Sequence, residues 1–245
     1  MMNVLVTGSN GQLASCIKDH AKQYDGLNFI YTDYEELDIC NLNDLEEFFK
    51  TNQKIDYCIN CAAYTAVDKA ESEVEKAFEI NATGPKNLAQ VCSEFDTILI
   101  QISTDFVFDG EKTEPYVETD VANPISVYGA SKLQGEVEIQ KTYKKHFIIR
   151  TSWLYCEHGT NFMTTMVRLA ETRDEISVVS DQIGTPTYAG DLAEVILKIV
   201  RSKNTNFGLY HYSNDGVASW YDFAKAIFEE SNKEIRLNPI KTEAY

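Results

Sequence analysis

The sequence predicts an α/β fold, a doubly wound parallel sheet with a smaller C-terminal lobe. Three observations carry that prediction. Short apolar runs alternate with helix-like segments of ten or more residues, the pattern of βαβ crossovers. The turn Thr7-Gly8-Ser9-Asn10-Gly11-Gln12-Leu13-Ala14 lies where the first apolar run gives way to the first helix. The chain has 245 residues, 44% hydrophobic and 24% charged, enough for one large α/β domain or a domain with a smaller lobe.

The elements follow in order. Residues 3–7 read as the first strand, and 11–24 as a helix with Leu13, Ile17 and Ala21 on one face. Residues 27–32 form the second strand, and 42–50 a helix capped by Asn41 or Asn43. Residues 56–60 are the third strand. Residues 70–92 carry helical spacing (Val74, Ala77, Phe78), with Gly84-Pro85 marking a kink or restart. Residues 97–102 are the fourth strand, 127–143 a long helix and 147–151 the fifth strand. Past residue 152 the rhythm loosens into a helix at 161–171, a short strand at 176–179 and helices at 190–200 and 219–230, while 236–245 shows no periodicity. We therefore expect a dinucleotide-binding domain at 1–152, rejoined by 189–212, with an interleaved smaller lobe at 153–245.

Composition narrows the function. Against 22 Lys+Arg stand 38 Asp+Glu, a net charge of −16, which argues against nucleic acid or an anionic membrane as the main partner. No run of eighteen apolar residues is present, and the N-terminus lacks the basic region of a signal peptide. Six cysteines, at 16, 40, 58, 61, 92 and 156, are too dispersed for a disulfide framework; reduced thiols and a cytoplasmic location are expected. Cys58-x-x-Cys61 lacks two further ligands of matching spacing, so packing rather than metal binding is expected, and no metal site is predicted.

Two constellations carry chemistry. In the glycine turn, Gly8 and Gly11 allow a tight bend and close backbone approach, and Ala14 provides the small third position. A dinucleotide pyrophosphate can rest there on free helix N–H groups, with Asn10, Gln12 and Leu13 bordering it. Asp33, after the second strand, suits the adenosine ribose hydroxyls and would repel a 2′-phosphate, or else is a solvated acid in Asp33-Tyr34-Glu35-Glu36. Asp38-Ile39 could reach the adenine edge. The second constellation is Tyr128-Gly129-Ala130-Ser131-Lys132, a phenol and an ammonium sharing one helix face. The ammonium is expected to pull the phenol's pKa down, so that Tyr128 can protonate a ketone oxygen as hydride reaches its carbon. A hydroxyl from Thr104, or its rival Ser103, would donate to the same oxygen.

These two motifs combine with Ser103-Thr104-Asp105-Phe106-Val107-Phe108-Asp109-Gly110, the run from Asn60 to Glu71, the run from Arg150 to Tyr155 and that from Asp181 to Thr187. Together they resemble the extended short-chain dehydrogenase/reductases over nearly the whole chain and, within them, the dTDP-4-dehydrorhamnose reductase family. The resemblance implies a Rossmann-like sheet and reduction of the C4 ketone of dTDP-4-dehydro-β-L-rhamnose to dTDP-L-rhamnose by NADPH or NADH. It implies Thr104, Tyr128 and Lys132 as catalytic. It also implies Ala62, Ala63, Tyr64 and Asn81 at the cofactor, and Thr65, Val67, Asp105, Phe106 and Trp153 at the sugar. Trp153 would offer the deoxysugar a flat apolar face, Asp105 could bind a hydroxyl or cap a turn, and Arg168 is a candidate for the nucleotide's phosphates.

Three departures qualify that expectation. Phe106 stands where the family often has Tyr. Ser15 stands where magnesium-bridged dimers of the family carry an acid, so a monomer or homodimer without that bridge is expected. Family members usually continue several dozen residues further, through a Pro/Arg-rich segment, so the sequence ending at Tyr245 is expected to be partial. Two alternatives share the fold: a non-catalytic, NADP-binding regulatory subunit of the methionine adenosyltransferase β type, and a nucleotide-sugar epimerase.

Overall fold

A computed structural model describes residues 1–244. The first half runs β1 (Met2–Thr7), α1 (Gln12–Ala21), β2 (Leu27–Tyr31), α2 (Leu42–Thr51) and β3 (Tyr57–Asn60). Then come α3 (Val67–Ala70), α4 (Val74–Phe78), a π-turn (Glu79–Thr83), α5 (Gly84–Glu94), β4 (Ile98–Thr104) and a 3-10 turn (Asp105–Val107). The helix α6 (Val127–Thr142) and strand β5 (His146–Thr151) complete it. The second half runs β6 (Leu154–Tyr155), α7 (Phe162–Leu169), β7 (Glu175–Val179), β8 (Ile183–Gly184), β9 (Thr187–Tyr188) and α8 (Ala189–Ser202). It ends with β10 (Gly208–His211), β11 (Ala218–Ser219), α9 (Trp220–Glu230) and β12 (Arg236–Ile240).

Six strands form one parallel sheet in the order β10-β5-β4-β3-β1-β2. The order reverses between β1 and β3, and in such sheets the carboxyl ends beside that reversal hold the ligand. Strands buried on both faces explain why the sequence shows continuous apolar runs rather than alternation. On one face Val4, Val6 and Ile59 pack under Leu13 and Ile17 of α1 and Leu192, Ile196 and Val200 of α8. On the other, Leu5, Cys58 and Leu99 pack under Leu45 of α2, Leu88 of α5 and Ile139 of α6. β10 enters the sheet beside β5, with Gly208 opposite Phe147, so the chain returns to the sheet there. No helix among the described residues is long and apolar enough to cross a membrane.

The smaller lobe has its own core: Met166 of α7, Ile176 and Val178 of β7, and Phe223, Ala224, Ile227 and Phe228 of α9. Two sequence expectations change here and in the long helix. The segment read as aperiodic contains β12, which pairs in parallel with β7 from Arg236↔Glu175 to Ile240↔Val179. A two-stranded edge ribbon interrupted by Pro239 has too little buried face to print an alternation. Tyr245 lies outside the described residues. The helix expected at 70–92 is three pieces, because the π-turn breaks it before Gly84. That turn directs the Asn81 carbonyl at α6, where a Cβ on Gly135 would come within 2.1 Å of it.

Candidate active site

The carboxyl ends of the central strands are joined by a buried polar row. Thr7 Oγ1 donates to Asn60 Oδ1 at 2.6 Å, Asn60 Nδ2 donates to Gln101 Oε1 at 2.8 Å, and Ala62 N donates to Asn60 Oδ1 at 3.1 Å. The row sets the path of the chain beyond β3. Gly8 approaches that path with φ +64°, and a Cβ there would lie 2.5 Å from the Ala62 nitrogen. Only glycine meets both the left-handed conformation and the close approach. Nothing in the sequence marks Asn60 or Gln101 for this role, since their partners are distant in the chain.

Helix α1 begins at Gln12 with Gly11 as N-cap and no side-chain cap, so its first N–H groups remain free. Its positive end faces a cleft of roughly 650 Å³ lined by Gly8, Asn10, Gly11, Asp38, Ala62 and Ala63, among others. Asp33 also lines it, accepting Asn10 N and Tyr34 N at 2.8 Å each, so it ties the glycine turn to the end of β2 rather than sitting free in solvent. Gln12 and Leu13 do not line the cleft. The Gln12 side chain donates to the Leu154 carbonyl at 3.3 Å, and Leu13 is buried in the core. Ile39 lines the cleft and packs beneath Gly84; Asp38 accepts Cys40 N at 2.9 Å.

Tyr64 and Asn81 are brought together. Tyr64 N donates to Asn81 Oδ1 at 2.9 Å, while Asn81 Nδ2 donates to the Tyr64 carbonyl and to Ser131 Oγ, both at 3.0 Å. The Tyr64 hydroxyl donates to Glu73 Oε2 at 3.0 Å. Asn81 thus braces the segment after β3 against α6. Thr65 is exposed in that segment, and Val67 opens α3 half-buried.

The second constellation is assembled where β4 ends. Thr104 Oγ1 donates to Asp105 Oδ1 at 3.1 Å and accepts Phe106 N at 3.2 Å. Ser126 caps α6 by accepting Gly129 N at 3.1 Å, and Gly129 lets the helix press on the 3-10 turn, where a Cβ would lie 2.1 Å from the Phe106 carbonyl. The Phe106 ring meets Tyr128 edge-on at 5.5 Å. Ser103, turned the other way from Thr104, is taken up by Glu136 of α6, donating to its Oε1 at 2.5 Å. Of the two hydroxyls the sequence left open, Thr104 is the one that meets the Tyr128 hydroxyl.

The electrostatics correct one expectation. Burial pushes the Tyr128 phenol up to about 12, a hydrogen bond with Thr104 pulls the other way, and the Asp105 charge adds to the rise. Lys132 does not lower it, because its ammonium is turned to the Ile102 carbonyl at 2.7 Å. Burial brings Lys132 itself down to about 8, opposed by Glu136 and Cys61. Desolvation raises Asp105 to about 6. Tyr128 is thus a neutral acid at physiological pH, the form that gives up a proton.

Trp153 follows β5 with φ +45° and stacks on Trp220 at 3.5 Å, the rings 8° apart. Gly184 makes room for it; a Cβ there would lie 2.5 Å from the indole. Trp220 Nε1 donates to Gln182 Oε1 at 3.2 Å. One face of Trp153 is therefore covered, which the sequence did not indicate, since Trp220 opens a helix far along the chain. Arg168 is exposed on α7. Cys58 is buried in β3 and Cys61 borders the cleft; both are free thiols.

Comparison with known proteins finds relatives over nearly the whole chain. The family model described as RmlD substrate binding domain matches residues 2–245. A dTDP-4-dehydrorhamnose reductase of Aggregatibacter actinomycetemcomitans is 41% identical over 238 residues, 94% of this chain and 80% of the relative. A crystal structure of a dTDP-4-dehydrorhamnose reductase from Clostridium acetobutylicum superposes with a TM-score of 0.95 at 45% identity, over 100% of this chain and 85% of that one. The Bacillus anthracis dTDP-4-dehydrorhamnose reductase, solved in complex with NADP, gives a TM-score of 0.95 at 40% identity, over 100% of this chain and 87% of that one.

Proposed function

This chain belongs to the dTDP-4-dehydrorhamnose reductase family, and on that footing we propose that it reduces the C4 ketone of dTDP-4-dehydro-β-L-rhamnose to dTDP-L-rhamnose with NADPH or NADH. The observation that carries the reading is the Thr104–Tyr128 hydroxyl pair at the carboxyl end of β4, in a fold whose neighbouring cleft has a helix N-terminus and a glycine turn.

The residues present fit a dinucleotide. The Cβ-free approach at Gly8 and the uncapped start of α1 leave main-chain N–H groups for a pyrophosphate, and Asp33 offers its carboxylate to ribose hydroxyls. The bound nicotinamide supplies hydride. The chain does the rest: Thr104 donates a hydrogen bond to the ketone oxygen, and Tyr128 delivers its phenolic proton to that oxygen. Lys132, held by Ile102, binds the nicotinamide ribose hydroxyls and helps restore the Tyr128 proton. Trp153, backed by Trp220, presents an apolar face to the deoxysugar, with Asp105 and Phe106 beside the hydroxyl pair.

The partner is then a nucleotide sugar, held by local donors against a net charge of −16. Residues 1–152 with 189–212 form the cofactor domain, and the remainder of 153–245 the substrate lobe. Ser15, whose hydroxyl donates to the Gly11 carbonyl at 3.0 Å, brings no carboxylate for a magnesium bridge, which supports a monomer or an unbridged homodimer. Free cysteines suit the reducing cytoplasm. The test is steady-state oxidation of NADH and of NADPH, followed at the reduced-nicotinamide band, with the 4-keto sugar nucleotide. Substrate-dependent loss of absorbance is expected. Cofactor binding with no oxidation by any 4-keto nucleotide sugar sinks the proposal.

A further inference from the structure

The proposed reduction draws on three segments: Thr104 ending β4, Tyr128 and Lys132 on α6, and Trp153 beyond β5. One buried carboxylate links all three. Glu136 lies two turns beyond Tyr128 and one beyond Lys132, on the same helix face, and is 2% exposed. Its Oε1 accepts Ser103 Oγ at 2.5 Å and Arg150 Nε at 2.9 Å, and its Oε2 accepts an Arg150 terminal nitrogen at 2.7 Å. Ser103 and Arg150 are directly paired across β4 and β5, so the carboxylate meets both strands at one rung of the sheet. Ser103 immediately precedes Thr104, and Arg150 begins the run Arg150-Thr151-Ser152-Trp153.

Packing does not require this arrangement. A buried ion pair loses its hydration, and an apolar pair of similar volume commonly packs a helix on a sheet at least as well. What the pair adds is direction. Bidentate Arg–carboxylate geometry fixes angle as well as distance, and the Ser103 bond fixes the last rung of β4 before Thr104. The Arg150 guanidinium is held in turn over the Phe108 ring at 5.0 Å. The titratable groups that face Lys132 are Glu136 on its own helix and Cys61 beyond β3, while β4 offers it only the Ile102 carbonyl.

We propose that Glu136 is a positioning residue for the reduction: with Ser103 and Arg150 it clamps α6 to β4 and β5 so that Thr104 and Tyr128 stay in register. The proposal rests on the reductase reading. Its test compares wild type, Glu136→Gln, Glu136→Asp and Ser103→Ala for kcat across pH, cofactor Kd and melting temperature. Glu136→Gln should lower kcat by about 100-fold, the order that a small misplacement of reacting groups costs. Cofactor Kd below the alkaline limb should stay within about threefold, and the limb itself should move down by roughly one pH unit as the carboxylate's support of Lys132 is lost. Glu136→Asp, which restores the charge, should return the limb to its wild-type position and recover most of kcat. Ser103→Ala should lower kcat by about tenfold, with a fall in melting temperature of only a few degrees. A purely structural role moves melting alone. Glu136→Gln with kcat within about twofold of wild type and an unmoved limb overturns the proposal. If Glu136→Gln does not fold, wild-type kcat in Ser103→Ala overturns it equally. Absence of turnover in the wild type overturns the reductase reading and this role with it.

Discussion

The nucleotide corner and the reducing corner of the site are built by opposite means. The nucleotide corner is a main-chain device: a left-handed Gly8, an uncapped helix start and a backbone path set by Asn60, with Leu13 and the Gln12 side chain turned away. The reducing corner is a side-chain device, in which Thr104 offers its hydroxyl and Tyr128 and Lys132 act through atoms whose ionisation burial controls. The first should tolerate most substitutions that leave its backbone alone and fail at glycine. The second should fail at single functional groups while the fold and cofactor binding survive.

Three substitutions and a pH dependence test that contrast, beginning with the largest expected effect. Tyr128→Phe removes the proton donor and should lower kcat by about 10³-fold, with cofactor Kd within about twofold by fluorescence titration. Turnover near the wild-type rate would assign the proton to another group. Gly8→Ala forces a Cβ into the Ala62 backbone, 2.5 Å away, and should weaken cofactor binding by about 50-fold and cost about 1–3 kcal/mol of stability. Chemical denaturation together with a cofactor titration measures both. Trp220→Ala strips the backing from Trp153 and should raise the sugar-nucleotide KM by about tenfold, leaving the cofactor KM alone.

The smallest effect is a pH dependence. Lys132 sits below its ordinary value, at about 8, because burial disfavours the ammonium. Its charge is lost as pH rises through that value, so cofactor affinity should decline several-fold on the alkaline side. Lys132→Arg, which stays protonated, should show no such decline. The stability sign is the reverse of a salt-bridged lysine: the folded state is penalised for carrying the charge below about pH 8, and the penalty fades as pH rises toward the unfolded value. Lys132→Met should therefore be more stable than wild type at neutral pH, by about 1–3 kcal/mol less the lost bond to Ile102. A lower melting temperature for Lys132→Met contradicts this.

The same contrast explains what could be read from the sequence. Alternating apolar runs and the glycine turn are local signals, so the parallel sheet, its switch region and the nucleotide corner were legible. The reducing corner was legible as residue types, because Tyr128 and Lys132 share a helix face by spacing alone. Their chemistry was not. The rise in the Tyr128 pKa depends on how deeply α6 is buried, and Lys132 is turned to a strand carbonyl that spacing does not reveal. Ser103 and Thr104 could not be told apart until the structure showed Ser103 taken up by Glu136 and Thr104 meeting Tyr128. Trp220 behind Trp153, and β12 beside β7, are pairings between distant segments with no local mark.

The most direct test of the account is a single-turnover comparison of Gly8→Ala and Tyr128→Phe, each loaded with reduced cofactor at saturation and mixed with the 4-keto sugar nucleotide. Gly8→Ala should oxidise its cofactor at close to the wild-type rate once the cofactor is bound. Tyr128→Phe should bind cofactor normally and oxidise it at least about 10²-fold more slowly. Equal rates in the two variants, or loss of cofactor binding in Tyr128→Phe, would contradict the division of labour on which the reductase reading stands.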